Sequence, residues 1–159
     1  MRKFQISRFL KSCGKVSRGY FRVPTITPDE LSANRKPYNT PYLKKEDFME
    51  CPFDQFLKWF KEAEEHEKGI EINAMSLSTC SKEGRPTSRY VLLKELKNNK
   101  FVFFTNYNSR KGKNLEENPF ASCLFYWPTM HRSIRIEGSV SKIEEIRSTE
   151  YFKSRPLVS

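Results

Sequence analysis

Two hydrophobic periods divide this chain of 159 residues. Between residues 52 and 67 the apolar positions follow helical spacing, with Phe53, Phe56, Leu57, Phe60 and Ala63 on one face. Pro52 suits a first helical turn and Gly69 follows the end, so the pattern predicts a helix whose aromatic stripe packs into a core. From Asn73 the period shortens to two. Residues 74–80 and 87–93 read as strands joined by the hairpin connection 81–86, and residues 101–106 as a third strand. A short helix over 111–117 is closed by Asn118-Pro119. Residues 120–127 give a fourth strand. Residues 132–143 give a fifth, in which Ile134 and Ile136 alternate with Ser133, Arg135 and Glu137. Residues 144–152 read as a final helix. Antiparallel strands with helices between them predict a mainly β fold with accessory helices (α+β), in the form of a small barrel.

The first 23 residues differ from the rest. Arg2, Lys3, Arg8, Lys11, Lys15, Arg18 and Arg22 are basic, and the first acidic residue is Asp29. Serines and the apolar Phe4, Ile6, Phe9 and Leu10 lie between them. That composition fits a mitochondrial targeting peptide or a disordered basic arm, which leaves a mitochondrial or a cytoplasmic location open. Residues 24–45 are rich in Pro, Asn and Thr and read as extended. The expected organisation is therefore a basic arm over 1–23, a lead-in over 24–47 and a folded domain over 48–159.

Composition narrows the function classes. With 13 Phe, 7 Tyr and 2 Trp the chain is too aromatic to be a disordered tail. A formal net charge of +10 favours polyanions, anionic membranes or phosphorylated small molecules. Much of that excess lies in the arm, and the aromatic residues occupy strand and helix core positions, so nucleic-acid binding ranks last. No apolar run approaches the roughly 20 residues that span a bilayer, so no membrane partner is expected. The cysteines Cys13, Cys51, Cys80 and Cys123 form no C-x-x-C pair, and His66 and His131 lie far apart, so no metal site is expected.

Two strand-like runs bring basic residues toward one place: the segment from Ser88-Arg89 to Lys94, and the segment from Phe103 to Ser109-Arg110-Lys111. Arg110 and Lys111 stand where a helix begins. Cations are misplaced there, because a helix N-terminus already carries about half a positive charge. An anion resolves the conflict: backbone N–H groups and two cationic side chains make a phosphate site. A phosphorylated ligand is expected on these residues alone.

From Asn73 onward the chain resembles the pyridoxine (pyridoxamine) 5′-phosphate oxidase family. The resemblance rests on ordered matches: Asn73-Ala74-Met75, Gly84-Arg85-Pro86, Ser88-Arg89 through Lys94, Phe103 through Asn106, and Ser109 through Lys113. It continues through Asn118-Pro119-Phe120-Ala121, Phe125-Tyr126-Trp127, Arg132, Arg135 through Gly138, and Tyr151 through Pro156. It implies an FMN-binding split β-barrel that works as a homodimer with FMN between subunits. It also implies oxidation of pyridoxamine or pyridoxine 5′-phosphate to pyridoxal 5′-phosphate, with molecular oxygen as electron acceptor. In that chemistry the flavin is the redox group and the protein positions the reactants.

Carried over residue by residue, the resemblance assigns Arg89, Tyr90, Val91, Leu92, Phe104 and Thr105 to the FMN site, with Arg110 and Lys111 gripping its phosphate. It assigns Lys94, Tyr151, Arg155 and Ser159 to the substrate phosphate. Arg35 to Tyr38 match a segment that covers the substrate. Ser133 stands where the family usually has a Gln that contacts FMN. The family pattern also runs past Ser159, with further strands, a Gln-Ser pair, a Trp and an Arg-x-His segment. The barrel is therefore expected to be incomplete at its C-terminus, and the 159-residue chain to be much less active than a full-length member. The alternatives are a non-catalytic truncated form that binds FMN weakly, a split-barrel reductase with another substrate, and a basic nucleic-acid-binding protein.

Overall fold

The computed structural model describes residues 26–34 and 43–143. The chain divides into two compact units, Met1–Pro37 and Tyr38–Ser159.

In the first unit a helix, α1, spans Pro28–Ala33, where the residue pattern predicts extended chain. Its start is a reciprocal cap. The Thr27 hydroxyl accepts from the Glu30 amide at 3.3 Å, and the Glu30 carboxylate accepts from the Thr27 amide at 2.7 Å. With Pro28 in the first turn these bonds are enough to nucleate a short helix in a Pro-rich stretch.

The second unit is built on one antiparallel five-stranded sheet. Its strands are β1 (Ala74–Cys80), β2 (Pro86–Lys97), β3 (Lys100–Phe103), β4 (Phe120–Trp127) and β5 (Arg132–Ser139), in the order β3-β2-β1-β4-β5. A single turn of 3₁₀ helix covers Lys45–Asp47. Helix α2 covers Pro52–His66, and α3 covers Arg110–Glu117.

Three strands end at residues other than those the sequence pattern predicts. β2 runs on to Lys97 because Asn98 and Asn99, with φ of 50° and 59°, close a two-residue hairpin onto Lys100. β3 stops at Phe103, so Phe104 and Thr105 lie in the connection to α3 rather than in a strand. The chain turns just beyond, where the Asn106 side chain accepts from the Asn108 amide at 2.8 Å. β5 ends at Ser139 because its partner β4 begins at Phe120, and Pro119 before it has no N–H to extend the ladder. The helix expected over 144–152 lies outside the described residues, as do Arg35 to Tyr38, Tyr151, Arg155, Ser159 and the basic arm.

Period-two alternation gives the sheet two unlike faces. Register aligns Met75 with Val91, Leu77 with Arg89 and Cys123, and Phe125 with Ile134 on the inner face. Helix α2 covers one end of that face. Phe56 meets Phe101 edge-on at 5.0 Å and Phe125 at 5.2 Å, and lies 6.2 Å from Trp127. Trp127 is fully buried, and its indole N–H donates to the Ile72 carbonyl at 3.0 Å, so its one polar atom is satisfied. Arg132 stacks 4.7 Å over Trp59 and pairs with Glu62 at 2.8 Å, tying β5 to α2. Burial pushes the Cys123 thiol up to about 11.

Leu57 departs from the expected stripe and is 43% exposed. The buried stripe is centred on Phe56 and Ala63, and one residue further along a helix lies about 100° round the axis. Replacing Phe56 by Ala should therefore destabilise the fold by about 3–5 kcal/mol, as for large aromatic truncations in cores. Leu57→Ala should stay within about 1 kcal/mol, as for surface changes. Urea denaturation of the two variants checks the contrast, and equal effects would contradict this packing.

Candidate functional site

The other end of the inner face is polar. There the register places Thr79 opposite Thr87, next to Leu77 opposite Arg89. Arg89 is only partly exposed and lies along the sheet rather than out in water. Its Nη1 donates to the Leu77 carbonyl at 3.1 Å and to the Thr79 hydroxyl at 2.9 Å. Its Nη2 donates to the Thr87 hydroxyl. Helix α3 closes over this end through Asn114, which is 5% exposed. The Asn114 amide donates to the hydroxyls of Thr79 and Thr87, at 3.2 and 3.4 Å.

The start of α3 is held by local hydrogen bonds. Ser109 is the N-cap, and its hydroxyl accepts from the Gly112 amide at 3.4 Å. The same hydroxyl donates to the Asn106 carbonyl at 2.6 Å. Gly112 sits so close to the preceding turn that a Cβ there would lie 2.1 Å from the Tyr107 carbonyl oxygen. This folds the turn back against the helix and presents Arg110 and Lys111 in the first turn, where amide N–H groups have no intrahelical acceptor. The Lys111 ammonium donates to the Ser109 hydroxyl at 3.3 Å.

Arg89, Arg110 and Lys111 thus form one cationic cluster. Burial, and then repulsion from Arg110, pulls the Arg89 guanidinium below its usual range. Burial, and then repulsion from Arg89, does the same to the Lys111 ammonium. The ion pairs among the described residues are Arg132–Glu62, Arg135–Glu137 and Lys142–Glu116, and none involves the cluster. Three cations crowded at a helix start without a carboxylate have the chemistry of a site for a doubly charged oxyanion.

The remaining residues singled out from the sequence are distributed around this cluster. Val91 shares the inner face with Arg89, whereas Tyr90, 80% exposed, and Leu92 alternate onto the outer face. Ser133 also lies on the outer face, opposite Tyr126. Lys94 is the extra residue of a β-bulge between the pairs Leu93–Phe103 and Glu95–Val102. Such a bulge turns a side chain away from the regular alternation. Thr79, Thr87 and Asn114 do not stand out in the sequence. Period two places Thr87 on the face of Arg89, and Asn114 follows Arg110 by one helical turn, so both signals are present.

With the geometry in view, likeness to known proteins becomes informative. A sequence model of the family described as Pyridoxamine 5′-phosphate oxidase matches residues 62–159. The pyridoxine-5′-phosphate oxidase of Dictyostelium discoideum is 50% identical over 133 residues, covering 82% of this chain and 58% of that protein. The pyridoxine/pyridoxamine 5′-phosphate oxidase of Actinobacillus succinogenes is 49% identical over 130 residues, covering 82% and 61%. This chain thus spans about three-fifths of the length of these two relatives. Among solved structures, PhzG from Burkholderia lata 383, in complex with tetrahydrophenazine-1-carboxylic acid, is similar with a TM-score of 0.68. It is 26% identical, with 75% of this chain and 59% of that one covered. An FMN-binding protein from Nostoc punctiforme, related to pyridoxamine 5′-phosphate oxidase, has a TM-score of 0.50 at 17% identity, with 64% and 55% covered, and supports the fold alone. The fold is accordingly that of a split β-barrel. Ordered sequence matches along the sheet and α3, and a family model covering most of the described domain, lead to one conclusion: this chain belongs to the pyridoxamine 5′-phosphate oxidase family.

Proposed function

We propose that the chain binds FMN with its phosphate at Arg89, Arg110 and Lys111, and that it serves oxidation of pyridoxamine or pyridoxine 5′-phosphate to pyridoxal 5′-phosphate. The observation that carries the reading is the cationic cluster at the capped start of α3, which has no carboxylate partner among the described residues. A phosphate dianion would relieve the repulsion that now weakens both Arg89 and Lys111. The donor set fits the group: two guanidinium forks, one ammonium and the first amides of a helix.

FMN, when bound, supplies the two-electron acceptor, and molecular oxygen is the terminal oxidant, reduced to hydrogen peroxide. The side chains bind and orient. Val91, Phe104 and Thr105 lie on the inner face of β2 and in the connection before α3, and we assign them to the wall of the flavin site; Tyr90 and Leu92, on the outer face, lie away from that wall. Lys94, turned out by its bulge, is assigned to the substrate phosphate together with Tyr151, Arg155 and Ser159. The separation suits two phosphates: Arg89 and Lys94 are five residues apart along β2, about 16 Å at strand spacing.

A homodimer belongs to the same proposal. The outer sheet face carries Tyr90 on β2 and Phe120, Leu124 and Tyr126 on β4, all exposed, on the two strands that flank β1. Exposed apolar and aromatic side chains grouped on one surface mark interaction sites.

Three measurements test the reading. Flavin fluorescence should be quenched on binding, and Arg110→Ala with Lys111→Ala should weaken binding by about 1.5–3 kcal/mol for each charged hydrogen bond removed. Equal affinity in wild type and the double variant would remove the phosphate assignment. Sedimentation with FMN present should show a dimer, and a monomer that holds FMN tightly would refute the assembly. Pyridoxal 5′-phosphate should form from pyridoxamine 5′-phosphate only when both FMN and oxygen are supplied. Binding of FMN through the cluster with no product would leave a flavin-binding protein without this reaction.

A further inference from the structure

We infer that Asn114 and the Thr79–Thr87 pair are positioning residues that aim the Arg89 guanidinium, forming an uncharged clamp that leaves its whole charge to a bound phosphate. The inference rests on the flavin-phosphate reading above and adds the residues on which it depends.

The count of donors and acceptors gives the clamp its direction. A guanidinium has five N–H donors in one plane and no acceptor. Both Nη1 protons of Arg89 are taken, by the Leu77 carbonyl and the Thr79 hydroxyl, and one Nη2 proton is taken by the Thr87 hydroxyl. The two hydroxyls are hydrogen-bonded to each other at 3.2 Å and face the Nη1–Nη2 end. What remains is Nε–H and the second Nη2–H, which share the opposite edge and form the fork that grips two oxygens of a phosphate.

Asn114 fixes the hydroxyls in turn. Each threonine oxygen receives one N–H from Arg89 and one from Asn114. The hydroxyl protons stay within the pair, since the two oxygens are hydrogen-bonded to each other at 3.2 Å and the Thr87 hydroxyl also reaches the Thr79 carbonyl at 3.5 Å. The buried hydroxyls therefore act as acceptors toward the arginine, and the orientation of Arg89 is determined from behind. A carboxylate would hold the arginine more strongly, but it would also cancel the charge that attracts the ligand. A clamp of two hydroxyls and an amide has no such drawback. It also ties the two halves of the cluster together, because Asn114 and the cations Arg110 and Lys111 sit on the same short helix.

The test compares affinity for FMN with affinity for riboflavin, which has the same ring system and no phosphate. The variants are Asn114→Asp, Thr87→Val and Thr87→Ser, with Arg110→Ala plus Lys111→Ala alongside. Asn114→Asp keeps the shape and adds a charge; Thr87→Val keeps the shape and removes a hydroxyl. Each should lower FMN affinity by about tenfold or more, on the scale of one charged hydrogen bond. Riboflavin affinity should stay within about twofold, and Thr87→Ser should restore wild-type FMN binding. FMN affinity that is unchanged in Asn114→Asp and Thr87→Val overturns the clamp. So does an equal weakening for FMN and riboflavin, which would mark a merely structural role. If Asn114→Asp does not fold, the Val and Ser variants of Thr87 decide the matter alone. If the Arg110 and Lys111 double variant binds FMN as wild type does, the phosphate reading itself has failed, and the clamp fails with it.

Discussion

Alternation along the central strand β1 is the constraint on which the rest depends. Met75, Leu77 and Thr79 point inward in succession, so a single strand passes from apolar to polar on one face. Its neighbours repeat the change in register, with Val91, Arg89 and Thr87 on β2. One face of one sheet therefore carries both a dry core and a charged site, separated by about two residue pairs. A shift of one residue in the β1–β2 register would turn both to the wrong side. Stability and ligand chemistry are in that sense specified by the same pairing.

Each end of this face has its own helix. α2 supplies a broad aromatic stripe for the apolar end, where Phe56 is the common neighbour of Phe101, Phe125 and Trp127. α3 is short and polar, and what it buries is Asn114, whose amide has hydroxyl acceptors waiting on β1 and β2. Burying an amide costs free energy unless its donors are satisfied. The match between Asn114 and the two threonines is thus a condition for α3 to dock, and docking places Arg110 and Lys111 beside Arg89.

Most of the fold is legible in the sequence because period is a strong signal. The aromatic spacing of α2 and the alternation of β1, β4 and β5 each identify their elements from the residues alone. The misplaced ends are places where a backbone effect overrides side-chain pattern: paired asparagines at positive φ, an Asx turn at Asn106, and a proline without an amide proton. α1 is hidden within a stretch rich in helix breakers, although Thr27 through Glu30 spells a capping signature. The cations of the site can be read because charge at a helix start is anomalous. The clamp behind them cannot, since threonine and asparagine in these settings are ordinary until register and docking bring Thr79, Thr87 and Asn114 within hydrogen-bond reach.

The half-buried thiol of Cys123 has a consequence for durability. With its pKa raised to about 11, on the order of one molecule in ten thousand carries the thiolate at neutral pH. Oxidants such as peroxide attack the thiolate rather than the protonated sulfur. The inner face of β4 can therefore hold a sulfur atom as a small packing group with little thiolate open to attack.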